Sequence, residues 1–188
     1  MYENLDDAEL LRASLDAMGN DRNAEAVSLL KVLIDRDPGN FHGHYLLAAE
    51  HMQLGMVDRA EEGFRRAVAL APDFPMARFQ LGQLYLVKGD REAAGQTLAP
   101  LAEGQPETAL AFYVRGMLAA ADGDNATAVE ALRSGLTCEQ ELPALTLDMQ
   151  HLLANLATPG GGGMLPTQEG AAAGAAPLYL SAYDRARS

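Results

Sequence analysis

Residues 75–108 read PMARFQLGQLYLVKGDREAAGQTLAPLAEGQPET. Within this stretch Phe79, Leu81, Leu84, Tyr85 and Leu86 supply the apolar residues of a first helix, and Lys88-Gly89-Asp90 is a turn. Ala93, Ala94, Leu98 and Leu101 then return at helical spacing and predict a second helix. Gly89 suits the end of the first helix and Asp90 the start of the second. Pro106 blocks continuation of the second, because proline has no N–H to donate. The stretch is a helical hairpin.

Working outward, the same hairpin recurs. Pro38, Pro72 and Pro106 are spaced 34 residues apart, as are Gly55, Gly89 and Gly123. Ala26, Ala60, Ala94 and Ala128 keep the step of 34, and so do Leu30, Phe64, Leu98 and Leu132, each four residues after its alanine. Four residue series sharing one period define a repeat protein. The register gives units 7–40, 41–74, 75–108 and 109–142. The alanines have a steric reason: antiparallel helices joined by a short turn approach closely only where one side chain is small. The bulky residue one turn further on fills the adjacent space.

At this point the chain resembles the tetratricopeptide repeat family, whose pattern is an aromatic, Leu-Gly, Tyr, Ala, an aromatic and Pro at fixed offsets. Unit 75–108 carries Leu81-Gly82, Tyr85, Ala94, Leu98 and Pro106. Unit 41–74 carries Leu47-Ala48, Ala60, Phe64, Ala67 and Pro72, with His44 and His51 in aromatic positions. Unit 109–142 keeps Phe112, Gly116, Ala128 and Leu132, with Arg115 in place of the leucine and Gln140 in place of the proline. Unit 7–40 keeps Ala26, Leu30 and Pro38 and has the weakest first helix. Degenerate end units suit a repeat array, whose terminal repeats have one neighbour only. The resemblance implies an all-α solenoid of helical hairpins, wound as a right-handed superhelix, over residues 7–142.

Beyond the repeats, Leu145, Met149, Leu152, Leu153 and Leu156 share one face of a helix over 143–157, with Thr146, Asp148 and Gln150 off it. This predicts a capping helix, which closes a TPR domain spanning 1–157. Residues 158–176 hold six glycines and two prolines in 19 residues, the composition of a flexible linker. The segment 177–188 follows, with Leu178, Tyr179, Leu180 and Tyr183 too apolar to be more linker. Such a tail docks in its own groove, in a neighbour's or on a third protein, or else is a stub without function. A linker of this length spans about 22–26 Å.

Composition narrows the function. There are 14 Lys+Arg against 26 Asp+Glu, a formal net charge of −12, in 188 residues. Phosphate binding depends on clustered cations, so neither a nucleic acid nor a polybasic contact with a membrane surface is expected. With 48% hydrophobic and 21% charged residues the chain can bury a core. No apolar run approaches the ~18 residues of a membrane span. The acidic start, MYENLDDAELLRAS, does not read as a signal peptide, and Cys138 is the one cysteine. Cytoplasmic localisation is the expectation. Twelve arginines against two lysines, with abundant Ala and Gly, point to a bacterial source.

The resemblance also implies a site. In the family the first helices line a concave groove that holds the partner. Residue by residue, those positions fall on Leu11, Leu15 and Met18, then His42, Tyr45, Ala49 and Met52. They continue as Met76, Phe79, Gln83 and Leu86, then Leu110, Tyr113, Met117 and Ala120. The set holds no Lys, Arg or Asp, and includes four of the eight methionines, whose flexible thioethers mould to varied apolar ligands. A competing reading places some of these residues in the packed core, with Tyr45 and Phe79 turned toward a neighbouring helix. Co-chaperones of the family that grip a C-terminal carboxylate carry Lys, Arg and Asn on these helices. Here Tyr45, Ala49, Phe79, Gln83, Tyr113 and Met117 occupy the matching places, so a carboxylate would lose its water uncompensated.

Candidate chemistry is sparse. His44 and His51 are seven residues apart, ~10.5 Å along a helix, too far to share one zinc, and His42 and His44 point to different faces. His44 and His51 read as core residues, and Cys138 as a small buried one. Gly160–Gly163 lacks the Gly-Lys-Ser/Thr ending of a phosphate loop. Asp122-Gly123-Asp124 is a turn without the later glutamate of a calcium loop. Asp6-Asp7 and Glu61-Glu62 read as solvated faces. No metal, cofactor or catalytic constellation is expected, and the chain reads as a non-enzyme. The expected function is an adaptor or chaperone that binds an apolar or amphipathic segment of a protein, in size and charge like the translocator chaperones of bacterial secretion systems. The alternative is a scaffold that self-assembles through its tail into a homo-oligomer, by head-to-tail contacts.

Overall fold

A computed structural model describes residues 2, 4–139 and 143–157, and among these the secondary structure is entirely helical. Among the described residues nine helices follow one another: α1 (Asp7–Gly19), α2 (Asn23–Arg36), α3 (Phe41–Gln53), α4 (Val57–Leu70) and α5 (Pro75–Lys88). Then come α6 (Arg91–Gly104), α7 (Ala109–Ala121), α8 (Asn125–Thr137) and α9 (Pro143–Leu156). The chain divides into two compact units, residues 1–81 and 82–188, with the division inside α5. The tail residues Leu178, Tyr179, Leu180 and Tyr183, and the linker before them, lie outside the described residues.

The hairpin turns are made by the residues the repeat singled out. Gly55, Gly89 and Gly123 have φ of +70°, +78° and +80°, the left-handed conformation that ends a helix without a Cβ penalty. Asp90 and Asp124 then cap the next helices, their carboxylates accepting the backbone N–H of Ala93 at 3.0 Å and of Thr127 at 3.1 Å. At the same register α2 and α4 begin after Arg22 and Met56, which offer no side-chain cap.

In the first unit α1 packs on α2, α2 on α3 and α3 on α4. Leu10, Ala26, Leu30, Leu33, Ala60 and Phe64 are buried between them. The closest approach is at Gly63, where a Cβ would sit 2.8 Å from Ala48 Cβ and 3.2 Å from the His44 carbonyl. Asp6 and Glu9 form a reciprocal capping box at the start of α1. Arg36, near the end of α2, reaches back to the carbonyls of Leu5 and Tyr2.

In the second unit α7 packs on α6 and α8, and α9 covers α8 and part of α7. The small residue at the closest approach now lies on the first helix of each hairpin. A Cβ at Gly82 would meet Leu98 Cγ at 2.3 Å, and one at Gly116 would meet Leu132 Cγ at 2.8 Å. Pro100 lies inside α6, between Leu98 and Leu101 of the predicted second helix. On α9, Leu145, Met149 and Leu152 are buried and Leu147 is 42% exposed. Asp148, expected off the apolar face, is half-buried, and desolvation raises its pKa to about 6.

Candidate functional site

The expected groove residues fall into two groups. In the first unit Leu11, Tyr45, Ala49, Met76 and Phe79 are buried, whereas Leu15, His42 and Met52 are half-buried. In the second unit Leu86, Tyr113 and Met117 are buried, whereas Gln83 and Leu110 are half-buried.

An aromatic cluster organises the first unit's set. The Phe74 ring, in the turn after α4, lies 5.1 Å from Tyr45, 5.3 Å from Phe41 and 5.7 Å from His42, centroid to centroid. Tyr45 also meets Phe64 of α4 at 5.9 Å. Tyr45 therefore faces its own hairpin. Burial lowers the pKa of His42, which favours the neutral imidazole. In the second unit Gln83 Nε2 lies 3.8 Å from Met117 Sδ, one repeat later. Burial, with a smaller contribution from the Asp148 carboxylate, pushes the Tyr113 phenol well above its usual range.

The remaining candidates have structural explanations. His44 is half-buried with Nε2 3.0 Å from the Pro38 carbonyl. His51 is buried on α3. Cys138 ends α8 and is half-buried rather than buried, its thiol 3.4 Å from the Ser134 carbonyl. Glu61, expected on a solvated face, is 7% exposed and joined to Arg65 at 2.6 Å. The Glu61 side chain lies along the packed flank of α4, and Glu62 takes the outside. Asp122-Gly123-Asp124 is the α7–α8 turn. Among the described residues no three His, Cys, Asp or Glu side chains gather as a metal site, and no helix is long and apolar enough to cross a membrane.

Sequence reasoning missed Glu50 altogether. It is fully buried on α3 with neither carboxylate oxygen hydrogen-bonded, and desolvation followed by the nearby Asp21 charge raises its pKa to about 7. Burial without a hydrogen-bond partner favours the protonated, neutral carboxyl.

Two tetratricopeptide repeat family models match the chain, over residues 11–75 and 52–118, together more than half of it. The protein belongs to the tetratricopeptide repeat family. Among solved structures it is similar to a thermophilic TPR protein of Thermus thermophilus, with 23% identity, a TM-score of 0.66 and 80% of this chain and 81% of that one covered. It is also similar to MamA of Desulfovibrio magneticus, with 19% identity, a TM-score of 0.63 and 97% of each chain covered. These likenesses establish the fold. A curated relative, the tetratricopeptide repeat and J domain-containing co-chaperone DNJ1 of Fusarium oxysporum, is 30% identical over 87 residues. The match takes in 46% of this chain and 17% of the relative's length.

Proposed function

We propose that the protein is a protein–protein interaction module, an adaptor or chaperone that receives an apolar or amphipathic segment of a partner on its first helices. The observation that carries the proposal is the run of half-buried apolar side chains on those helices. Leu15 and Met52 in one unit and Leu110 in the other stay partly open beside fully buried neighbours. A methionine and leucine surface accepts apolar side chains of varied shape, since thioether and isobutyl groups repack at little cost. His42, kept neutral by burial, adds no charge to that surface. The partial match to a TPR-containing co-chaperone supports the chaperone form of this reading. Members of this family are interaction modules in general, and the proposal contains no catalytic step.

The test is co-purification from the source cells, with mass spectrometry of what is retained, on the wild type and on Met52→Glu and Leu110→Glu. A charge at either position should remove the partner while far-UV circular dichroism stays helical. Retention of the same partners by both variants would overturn the proposal.

A further inference from the structure

The first unit contains a feature that the apolar reading leaves unused. A cleft of about 810 Å³ opens between α2 and α4, with α3 as its floor. It exists because the residues there are small: Gly63 lets α4 lie against Ala48, and Ala69 continues the gap. The floor is partly apolar, from Ile34 and Leu47, and the walls are cationic. Lys31 comes from α2, and Arg59, Arg65 and Arg66 come from α4, against the one lining carboxylate of Glu62. Arg65 is committed to Glu61. Among the described residues Lys31, Arg59 and Arg66 have no carboxylate within ion-pair distance, and Arg59 makes only a long contact to Met56 Sδ at 3.9 Å.

Three cations outside any ion pair, converging from two helices around one carboxylate, are unexpected in a protein of net charge −12. His51, on the floor, registers the resulting field. Its imidazole pKa is lowered by burial first and then by Arg59 and Lys31. Lys31 from α2 and Arg59 from α4 both repel a proton there, against a smaller raising effect of a hydrogen bond with the Arg59 backbone, and Glu62 stands at the cleft wall. Arg59 and Arg66 are seven residues apart on α4, so their attachment points are about 10.5 Å apart along the helix. Between them the floor offers Ile34 and Leu47.

We infer that this cleft binds an acidic segment of a protein partner, one with carboxylates on both sides of a short apolar core. The carboxylates meet Lys31, Arg59 and Arg66, and the apolar residues lie on the floor. The cleft is too large for a single inorganic anion, and its apolar floor has no use for one. Its chemistry is the opposite of the first-helix surface, so one protein can hold two different segments at once, or two parts of one partner. Electrostatic attraction of this type sets specificity and association rate and weakens with salt.

The probe is a fluorescein-labelled hexapeptide, Glu-Glu-Leu-Leu-Glu-Glu, titrated with the full chain by fluorescence anisotropy. Its control is Gln-Gln-Leu-Leu-Gln-Gln with the same label. The acidic peptide should bind at least about tenfold more tightly than the control, and less tightly as salt rises. The double variant Arg59→Gln, Arg66→Gln should lose about tenfold or more, and Arg59→Lys, Arg66→Lys should keep most of the binding. Imidazole NMR should show the His51 pKa rising when the acidic peptide is bound. Equal binding of both peptides, unchanged binding by the glutamine variant, or no saturation at about 1 mM peptide would overturn the inference. Two further outcomes would also overturn it and reassign the cleft. Inorganic phosphate that raises the His51 pKa as far as the peptide does would make it a small-anion site. Self-association abolished by the glutamine substitutions, without peptide binding, would give it to a second copy. The glutamine variants change exposed side chains alone, so circular dichroism should be unaltered.

Discussion

The α2–α3–α4 layer and the α6–α7–α8 layer are the same device two repeats apart, 68 residues in sequence, and they carry different chemistry. Lys31, His51, Arg59 and Arg66 in the first become Ala99, Ala119, Thr127 and Ser134 in the second. Leu47 becomes Arg115, whose guanidinium donates to the Ala102 carbonyl at 2.9 Å and lies 5.1 Å over the Phe112 ring. The buried Glu50 becomes Leu118. The residues that join the helices stay the same in kind: Gly55 and Gly123 at the turns, Ala60 and Ala128 at the contacts, Phe64 and Leu132 filling the space behind. The period therefore encodes the hairpin and nothing else. Chemistry is written in the positions the hairpin does not need, which is why the cleft of the first layer has no counterpart of the same charge in the second.

The largest effect should come from the shared filler position. Phe64→Ala should cost about 4 kcal/mol and Leu132→Ala about 3, because both side chains are buried and the larger leaves the larger cavity. Urea denaturation measures both, and a reversed order would break the equivalence of the two hairpins.

Next comes the point of closest approach. Gly116→Val should cost about 3 kcal/mol, since its Cβ would meet Leu132 Cγ at 2.8 Å and a packed leucine cannot retreat without moving its helix. Gly95→Val should cost far less, because nothing lies within 4 Å of a Cβ there. Equal midpoints for the two variants would show that α7 and α8 are less tightly joined than this.

These joining positions were legible in the sequence for a physical reason. A turn glycine, a small contact residue and a proline stop each act locally and recur within one unit, and repetition at 34 multiplied each signal. The capping Asp90 was legible in the same way. The buried face of the first helices was not. α7 runs ALAFYVRGMLAAA, apolar on nearly every side because it packs between α6 and α8, so periodicity cannot choose a face. For the same reason Tyr45 and Phe79 stood open to two readings. Glu50 and the cationic cleft were illegible for a different cause. Lys31, His51 and Arg59 are single residues on three helices, and nothing local announces that the hairpin brings them together. Glu61-Glu62 showed the limit from the other side, since two adjacent identical residues received opposite environments.

Glu50 offers the next test of the comparison. Its pKa in the folded state is raised to about 7 from an ordinary 4.5. Between those values the unfolded chain has released the proton and the folded chain retains it, so stability should fall as pH rises through that window and level off above it. Glu50→Gln removes the titration and makes this position neutral, as Leu118 already is. At pH 8 it should raise stability by about 2 kcal/mol, and at pH 4 it should change little. Thermal melts at both pH values decide the matter. An equal effect of the substitution at the two pH values would show that Glu50 is solvated when ionised.

The smallest effect concerns the helix starts. Positions 22, 56, 90 and 124 are one register position, and they hold Arg, Met, Asp and Asp. Asp90 and Asp124 accept a backbone N–H two residues into their helices' first turns, whereas α2 and α4 start with no such acceptor. Hydrogen bonds from Thr127 hold the Asp124 carboxyl below its ordinary pKa. The cap's contribution is therefore present above the unfolded value of 3.8 and is lost as pH falls through the lower folded one. Met56→Asp would give α4 what α8 already has. An aspartate there can reach the same orphan donors, since φ and ψ at Met56, −86° and 62°, are close to the −83° and 75° of Asp124. It should stabilise the protein by about 1 kcal/mol at neutral pH, and the gain should vanish below about pH 3 as the new carboxylate takes up its proton. Because residue 56 also touches Arg59, the same substitution places a carboxylate beside the cationic cleft and should weaken capture of the acidic hexapeptide. A variant that melts no higher than the wild type would mean that water satisfies the orphan N–H groups of α4 as well as an aspartate does.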